Sequence, residues 1–359
     1  MVQMVEPPPY HTIAAKHTTL SKWPGCPMFV VVAATVFRFR GPRIVNPIRQ
    51  HIRPMKSYSV SQKQPQTLFV WDFDWTIIQC NSDEYIPAAF LDSDVVHEGF
   101  RTLLQSGKDW HASVAAMVDR AMQEADATPA QIMDAARKMP YLTPIKDALD
   151  AIHAKDDASQ IILSDGNTLF IGAFLEAQGL KEHFTRVVSN TGQWTTKSEE
   201  EEEPSTASPR LTVIHQSQEY GGHDCPWCPT NLCKTQALRR TLDDLFPDNH
   251  DEPHRSTPRL IYVGDGANDA CPAINVLGPN DVLLARIGKK RTCANERHGR
   301  ISDEEAGQDE GGVFGLVPTL RRRSEEPEKK VAKCKVLHWE TGAELKALVD
   351  RLLDDTTAE

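Results

Sequence analysis

Two aspartates one residue apart, Asp72 and Asp74, follow directly on the apolar run Thr67-Leu68-Phe69-Val70-Trp71. Carboxylates at i and i+2 leaving the end of a buried strand make poor core. As the chain turns out of the strand, both can converge on one ligand and one metal ion. The pattern suits an aspartyl-phosphate nucleophile with a second Asp as its acid/base partner; the plainer alternative is an Asx-rich turn. Three further places carry similar chemistry. Ser164-Asp165-Gly166-Asn167 ends a second apolar run, where a hydroxyl beside a helix amino terminus can bind a phosphate oxygen or simply cap the helix. Gly264-Asp265-Gly266-Ala267-Asn268-Asp269 ends a third run and offers Asp265 and Asp269 as oxygen ligands, a set that fits Mg²⁺ beside a phosphate, or an Asx turn. Lys234 opens a helix, where its charge could neutralise a phosphoryl group or do nothing special.

These residues need a frame. The runs Leu68–Trp71, Ile161–Leu163, Leu260–Val263 and Val282–Ala285 are continuous rather than alternating, as expected of parallel strands buried on both faces; Val187-Val188 and Leu211–Ile214 are weaker candidates. Helical patterns at Phe170–Gln178 and Cys233–Leu245 lie between them, so the expected class is α/β, a doubly wound parallel sheet with a Rossmann-like core. Residues 81–155 break the rhythm with Ala/Met/Leu helical periodicity and predict an inserted helical cap over the carboxyl ends of the strands, where ligands of such sheets bind. The expected organisation is a core of 65–80 and 156–295, a cap of 81–155, a charged loop of 296–330 and a packing helix within 331–359. Each catalytic candidate then sits at a strand end or a helix start.

The chain has 359 residues and a formal charge of −10, unevenly spread. Residues 1–64 carry nine Lys/Arg against the single acid Glu6; the remainder carries 31 against 49 acids. So acidic a body argues against nucleic-acid binding through a broad basic face. The basic, acid-poor 1–64 segment reads either as a mitochondrial transit segment or as an extension outside the fold of a cytoplasmic protein. Its apolar run Met28–Phe37 is too short to span a bilayer. The eight cysteines form no regular disulfide framework, which suits a reducing compartment. Only Cys225, Cys228 and Cys233 cluster; with His223 they have the spacing of a structural zinc site, and the alternatives are buried thiols in a compact loop or a redox pair. Ser82 and Asp83 open the cap, as a helix start or as a face turned to substrate, where Asp83 would suit a cationic amine.

The four motifs in this order resemble the haloacid dehalogenase superfamily of phosphatases, over roughly residues 66–290. Asp72-Phe73-Asp74-Trp75-Thr76 with Asn81-Ser82-Asp83, Ser164-Asp165-Gly166-Asn167-Thr168, His223-Asp224-Cys225 through Lys234, and Gly264 through Asp269 resemble more closely the phosphoethanolamine/phosphocholine phosphatase family, also labelled pyridoxal phosphate phosphatase-related. Trp75 is a departure, because relatives often carry Lys or Gly there. The resemblance implies a Mg²⁺-dependent phosphomonoester hydrolase. Asp72 would be the nucleophile and Asp74 the acid/base. Asp72, Asp265 and the Asp74 carbonyl would hold the metal, Asp269 would support or ligate it, and Ser164 and Lys234 would bind the phosphoryl group. Phosphoethanolamine or phosphocholine is the expected substrate. Pyridoxal phosphate, thiamine phosphate and a silent binding module of the same fold are the alternatives. Oligomeric state is not legible.

Overall fold

The strand that ends at Asp72 lies at the centre of the sheet because both of its faces are apolar. In the computed structural model, which describes residues 65–195, 209–247, 258–290, 299–301, 303, 313–326 and 330–355, β1 (Thr67–Trp71) is buried throughout. Phe69 and Trp71 pack into one hydrophobic cluster, and Leu68 and Val70 into the one on the opposite face. That two-sided burial is why the run is apolar at every position.

The chain continues through α1 (Ser82–Ala88), α2 (Ser93–Gln105), α3 (Trp110–Glu124) and α4 (Pro129–Arg137), then β2 (Tyr141–Leu142), α5 (Thr143–His153), β3 (Ala158–Asn167) and α6 (Thr168–Ala177). Next come β4 (Arg186–Thr195), β5 (Arg210–Ile214), α7 (Gln216–Tyr220), α8 (Lys234–Leu245), β6 (Arg259–Gly264), α9 (Ala270–Asn275) and β7 (Val282–Arg286). β8 (Arg300–Ile301), α10 (Leu316–Ser324), β9 (Lys335–Trp339) and α11 (Gly342–Asp355) complete it. The main sheet has the order β5-β4-β3-β1-β6-β7-β9. Every pairing in it is parallel except β4–β5. This is the doubly wound α/β sheet expected from the sequence.

The inserted helices have strong local starts. Asp109 caps α3 by accepting from the Ala112 N–H at 2.8 Å, and Thr128 with Gln131 forms a capping box ahead of Pro129 in α4. Val114, Met117, Val118 and Ala121 make the buried stripe of α3.

Within the segment expected as a cap over 81–155, α5 packs on β3 and α11. The segment expected as a charged loop over 296–330 contains α10, whose Leu316 is buried against the sheet. The expected packing helix in 331–359 is preceded by β9, which extends the sheet beside β7. β9 is an edge strand in which only Trp339 is buried and Lys335 and His338 are exposed, so it lacks the continuous apolar run that marks the central strands. Residues 1–64, and with them the transit-segment reading, lie outside the described residues. Among the described residues no helix is long and apolar enough to cross a membrane.

Candidate active site

The centre of the site is one buried ammonium between two buried carboxylates. Lys234 Nζ donates to Asp72 Oδ1 at 2.7 Å and to Asp269 Oδ1 at 2.6 Å, and all three side chains are almost wholly removed from water. β1 delivers Asp72, whose N–H still bonds Val263 O of β6 at 2.9 Å, so the nucleophile candidate is locked into the sheet ladder. Lys234 is the first residue of α8, and Asp269 lies in a short 3-10 turn after β6.

Asp269 is saturated. Its Oδ1 also accepts from Tyr262 Oη at 2.7 Å, and its Oδ2 accepts from the backbone N–H groups of Asp265 and Gly266 at 3.0 and 2.8 Å. Four donors on two oxygens make Asp269 a brace for the loop and for Lys234. Gly264 is required here: a Cβ on it would stand 2.5 Å from Asp269 Oδ2.

Asp72, Asp265 and Asp269 present carboxylate oxygens within 4.8 Å of one another, all buried. Burial raises the Asp72 pKa well above the usual carboxylate range, opposed by Lys234 and reinforced by Asp269 and Asp265. Burial, with help from Asp269, raises Asp265 to about 6. Burial works against the charge on Lys234, but Asp269 and Asp72 outweigh it and hold the ammonium firmly protonated. Three carboxylates facing one buried ammonium leave an excess of negative charge, and an all-oxygen set of this kind fits a hard divalent cation.

Asp74 stands apart from that triad. Its Oδ1 accepts from the Ser82 N–H at 2.6 Å, and its Oδ2 faces Gly166, where a Cβ would lie 3.4 Å from both Asp74 Oδ2 and Ser164 Oγ. Burial, followed by the neighbouring charge of Asp83, raises the Asp74 pKa to about 8. Ser164 is fully buried, with Oγ accepting from Gly166 N–H at 3.1 Å.

A cavity of about 330 Å³ opens on these groups, lined among others by Asp72, Asp74, Asp265, Asp83, Trp110 and Trp75. Asp83 Oδ2 accepts from Trp110 Nε1 at 2.6 Å, while its Oδ1 is buried with no hydrogen-bond partner. Burial raises Asp83 to about 7. Ser82 is buried at the start of α1 and meets Asp74 through its backbone, and Asn81 is the cap of that helix. A larger cavity of about 600 Å³ lies beside α10, away from the aspartates.

Several site residues carried no sequence signal. Tyr262 sits in an apolar strand, where any large side chain reads as core. His111, Asn190 and Asn231 all donate to the Asp165 carbonyl, at 3.0, 2.8 and 3.2 Å, and Asn268 Nδ2 donates to Asp165 Oδ2 at 2.9 Å. This network ties the cap helix α3, strand β4, the loop before α8 and the turn after β6 to the end of β3. Arg286, at the end of β7, donates to the Trp75 carbonyl and, at 2.8 Å, to Gln79 Oε1, fixing the loop after β1. Trp75 itself has φ 59°, a left-handed backbone that a bulky residue rarely takes. Glycine would occupy it freely.

The cysteine cluster differs from the expected one. His223 is not among its members: its Nδ1 accepts from the Cys225 N–H and its Nε2 donates to Pro229 O, so both ring nitrogens are committed to the turn. Cys271 of α9 takes the fourth corner with Cys225, Cys228 and Cys233. Cys271 is 38 residues beyond Cys233, too far for a spacing rule to connect them.

A mostly parallel sheet with acidic pairs at two strand ends, a buried lysine and a small cavity over them is the arrangement of a phosphoryl-transfer hydrolase. The family described as "Putative Phosphatase" matches residues 67–298, so the chain belongs to it and is a phosphatase, a hydrolase of phosphomonoesters. The pyridoxal phosphate phosphatase PHOSPHO2 of Mus musculus is 31% identical over 62% of this chain and 83% of its own length. The phosphoethanolamine/phosphocholine phosphatase of Homo sapiens is 30% identical over 64% and 77%. Inorganic pyrophosphatase 2 of Arabidopsis thaliana is 27% identical over 62% and 72%. Relatives at this distance differ in substrate.

Proposed function

We propose that the protein hydrolyses the phosphate ester of a small cationic alcohol, of the phosphoethanolamine or phosphocholine type, through a phospho-aspartate on Asp72. Asp72 attacks phosphorus while Asp74, protonated below about pH 8, gives its proton to the leaving oxygen as the P–O bond breaks. The Asp74 carboxylate then takes a proton from water. That water attacks the phosphoryl group, and the bond to Asp72 breaks. Phosphate leaves with Asp72 ionised and Asp74 protonated again. Ser164 and Lys234 bind the transferring group, and Asp269 holds Lys234 in place.

The donor set fits Mg²⁺ held by Asp72, Asp265 and the Asp74 carbonyl, with Asp269 supporting the loop. The ion would neutralise phosphate charge so that a carboxylate can approach it.

One observation carries the substrate class. Asp83, whose buried Oδ1 has no partner and whose Oδ2 accepts from Trp110 Nε1, is a lining residue of the same cavity as Asp72 and Asp74. A buried acceptor without a donor is costly, and an ammonium head group supplies both the donor and the charge. Trp75 and Trp110 line the same cavity, with Lys290 Nζ over the Trp75 ring at 5.5 Å and Phe100 stacked on the Trp110 ring. The same carboxylate repels a second phosphate, which argues against pyrophosphate.

The test is phosphate release from phosphoethanolamine, phosphocholine, glycerol phosphate, pyridoxal phosphate, thiamine phosphate and pyrophosphate, with Mg²⁺ or EDTA. The cationic esters are expected to exceed glycerol phosphate in kcat/KM by about tenfold or more, and Asp83→Asn to erase the difference. Equal rates for cationic and neutral esters would sink the substrate assignment. Full turnover in EDTA would sink the metal.

A further inference from the structure

Four cysteine sulfurs from three segments meet behind the active site. Cys225 and Cys228 come from the irregular loop before α8, Cys233 is the residue that precedes α8, and Cys271 lies in the first turn of α9. All four Sγ atoms lie within 4.8 Å of one another; Cys271 Sγ is 3.3 Å from Cys225 Sγ and 3.9 Å from Cys233 Sγ. Four thiolates at about 2.3 Å from a tetrahedral zinc ion are about 3.8 Å apart, so small side-chain shifts close the site. Backbone and hydroxyl donors surround the sulfurs. The backbone N–H groups of Lys234 and Thr235, at the start of α8, are directed at the sulfurs of Cys228 and Cys271, and Thr235 Oγ1 lies 3.0 Å from Cys271 Sγ. A disulfide would use two of the sulfurs and strand the other two, whereas one zinc ion takes all four.

We propose that Cys225, Cys228, Cys233 and Cys271 bind a structural Zn²⁺ that clips the start of α8 to the loop after β6. The clip reaches the chemistry through the chain. Cys233 is bonded to Lys234, and Cys271 is two residues past Asp269, so the ion spans the 2.6 Å contact between Lys234 and Asp269 from behind. Irregular backbone around Cys225 and Cys228, held on the core by Trp227 alone among the apolar side chains of residues 225–228, gains a second anchor, as small zinc-bound loops do. The closed four-sulfur shell leaves no open position, so the ion is structural and takes no part in phosphate chemistry.

The experiment is metal analysis of the full-length protein purified without chelator, before any assay of activity. About one equivalent of Zn²⁺ per chain is expected, unchanged in His223→Ala and in Cys334→Ser, and falling below about a tenth in Cys225→Ser and Cys271→Ser. Cobalt-substituted wild type gives a readout that does not depend on variants folding: a thiolate-to-cobalt charge-transfer band with tetrahedral d–d absorption is expected. Wild type with under about a tenth of an equivalent of zinc and no such cobalt band overturns the proposal. So does an intact mass lighter by two protons, which marks a disulfide. Zinc lost in His223→Ala but kept in Cys271→Ser overturns the ligand set. None of these outcomes bears on the phosphatase reaction, which Asp72→Asn tests separately.

Discussion

Lys234 Nζ sits 2.7 Å from Asp72 Oδ1 across 162 residues of sequence, and neither group has a solvent shell to fall back on. Removing the ammonium leaves Asp72 and Asp269 buried without their shared cation. Lys234→Met is expected to cost about 3–5 kcal/mol in urea denaturation and to abolish phosphate release. Lys234→Arg is expected to restore neither, because a planar guanidinium does not fit between two carboxylates placed for a point charge. A stable, active Lys234→Met variant would contradict the buried triad.

Asp72→Asn is expected to lower turnover by about 10³-fold or more while leaving the fold intact. Burial and two neighbouring carboxylates already disfavour the Asp72 charge, so its neutral isostere relieves repulsion. Phosphate release and thermal melting of the same preparation check both halves.

The raised pKa of Asp74 sets a basic limb. A general acid works in its protonated form, so kcat/KM for an alkyl phosphate is expected to fall as pH rises through about 8. With p-nitrophenyl phosphate, whose leaving group needs no proton, the limb is expected to vanish. Asp74→Asn should lose about 10²–10⁴-fold on alkyl esters and less on the nitrophenyl ester. The same limb for both esters would remove Asp74 from the role of acid.

Stability carries the opposite charge logic. Asp265, Asp83 and Asp74 are raised to about 6, 7 and 8 in the fold, against 3.8 for an ordinary Asp. Between about pH 4 and 8 the folded chain therefore holds more protons than the unfolded one, and the metal-free protein loses stability as pH rises through that window. Mg²⁺ held by Asp72 and Asp265 would offset this charge. The Mg²⁺-dependent rise in melting temperature is expected to be larger at about pH 8 than at about pH 5. An equal rise at both would refute the site.

Trp75 holds a left-handed backbone and lines the cavity. Trp75→Gly removes about 1 kcal/mol of backbone strain but also the ring contact with Phe314, so stability should change little. The widened cavity is expected to raise kcat/KM for pyridoxal phosphate relative to phosphoethanolamine. An unchanged ratio would mean that Trp75 does not guard entry.

The strands that carry the site were legible because burial on both faces demands unbroken apolar runs: Leu68–Trp71, Ile161–Leu163, Leu260–Val263 and Val282–Ala285 all lie in the sheet. The placement of Asp72, Asp74, Ser164 and Asp265 beside the carboxyl ends of these runs was legible for the same reason, since a polar residue at the end of such a run has a fixed address. β9 and α10 were not, because an edge strand and a short half-covered helix leave weak patterns. The sequence by itself determined the sheet, the strand-end carboxylates and the class of chemistry. Only the tertiary structure decided that Lys234 is shared between Asp72 and Asp269, that Tyr262 and two backbone N–H groups saturate Asp269, that Asp83 Oδ1 is buried without a partner, and that Cys271 rather than His223 joins the sulfurs. Local periodicity reports which face of an element is buried. It does not report which distant residue the fold brings to that face, and each of these relationships is a contact between separate elements in a place water cannot reach.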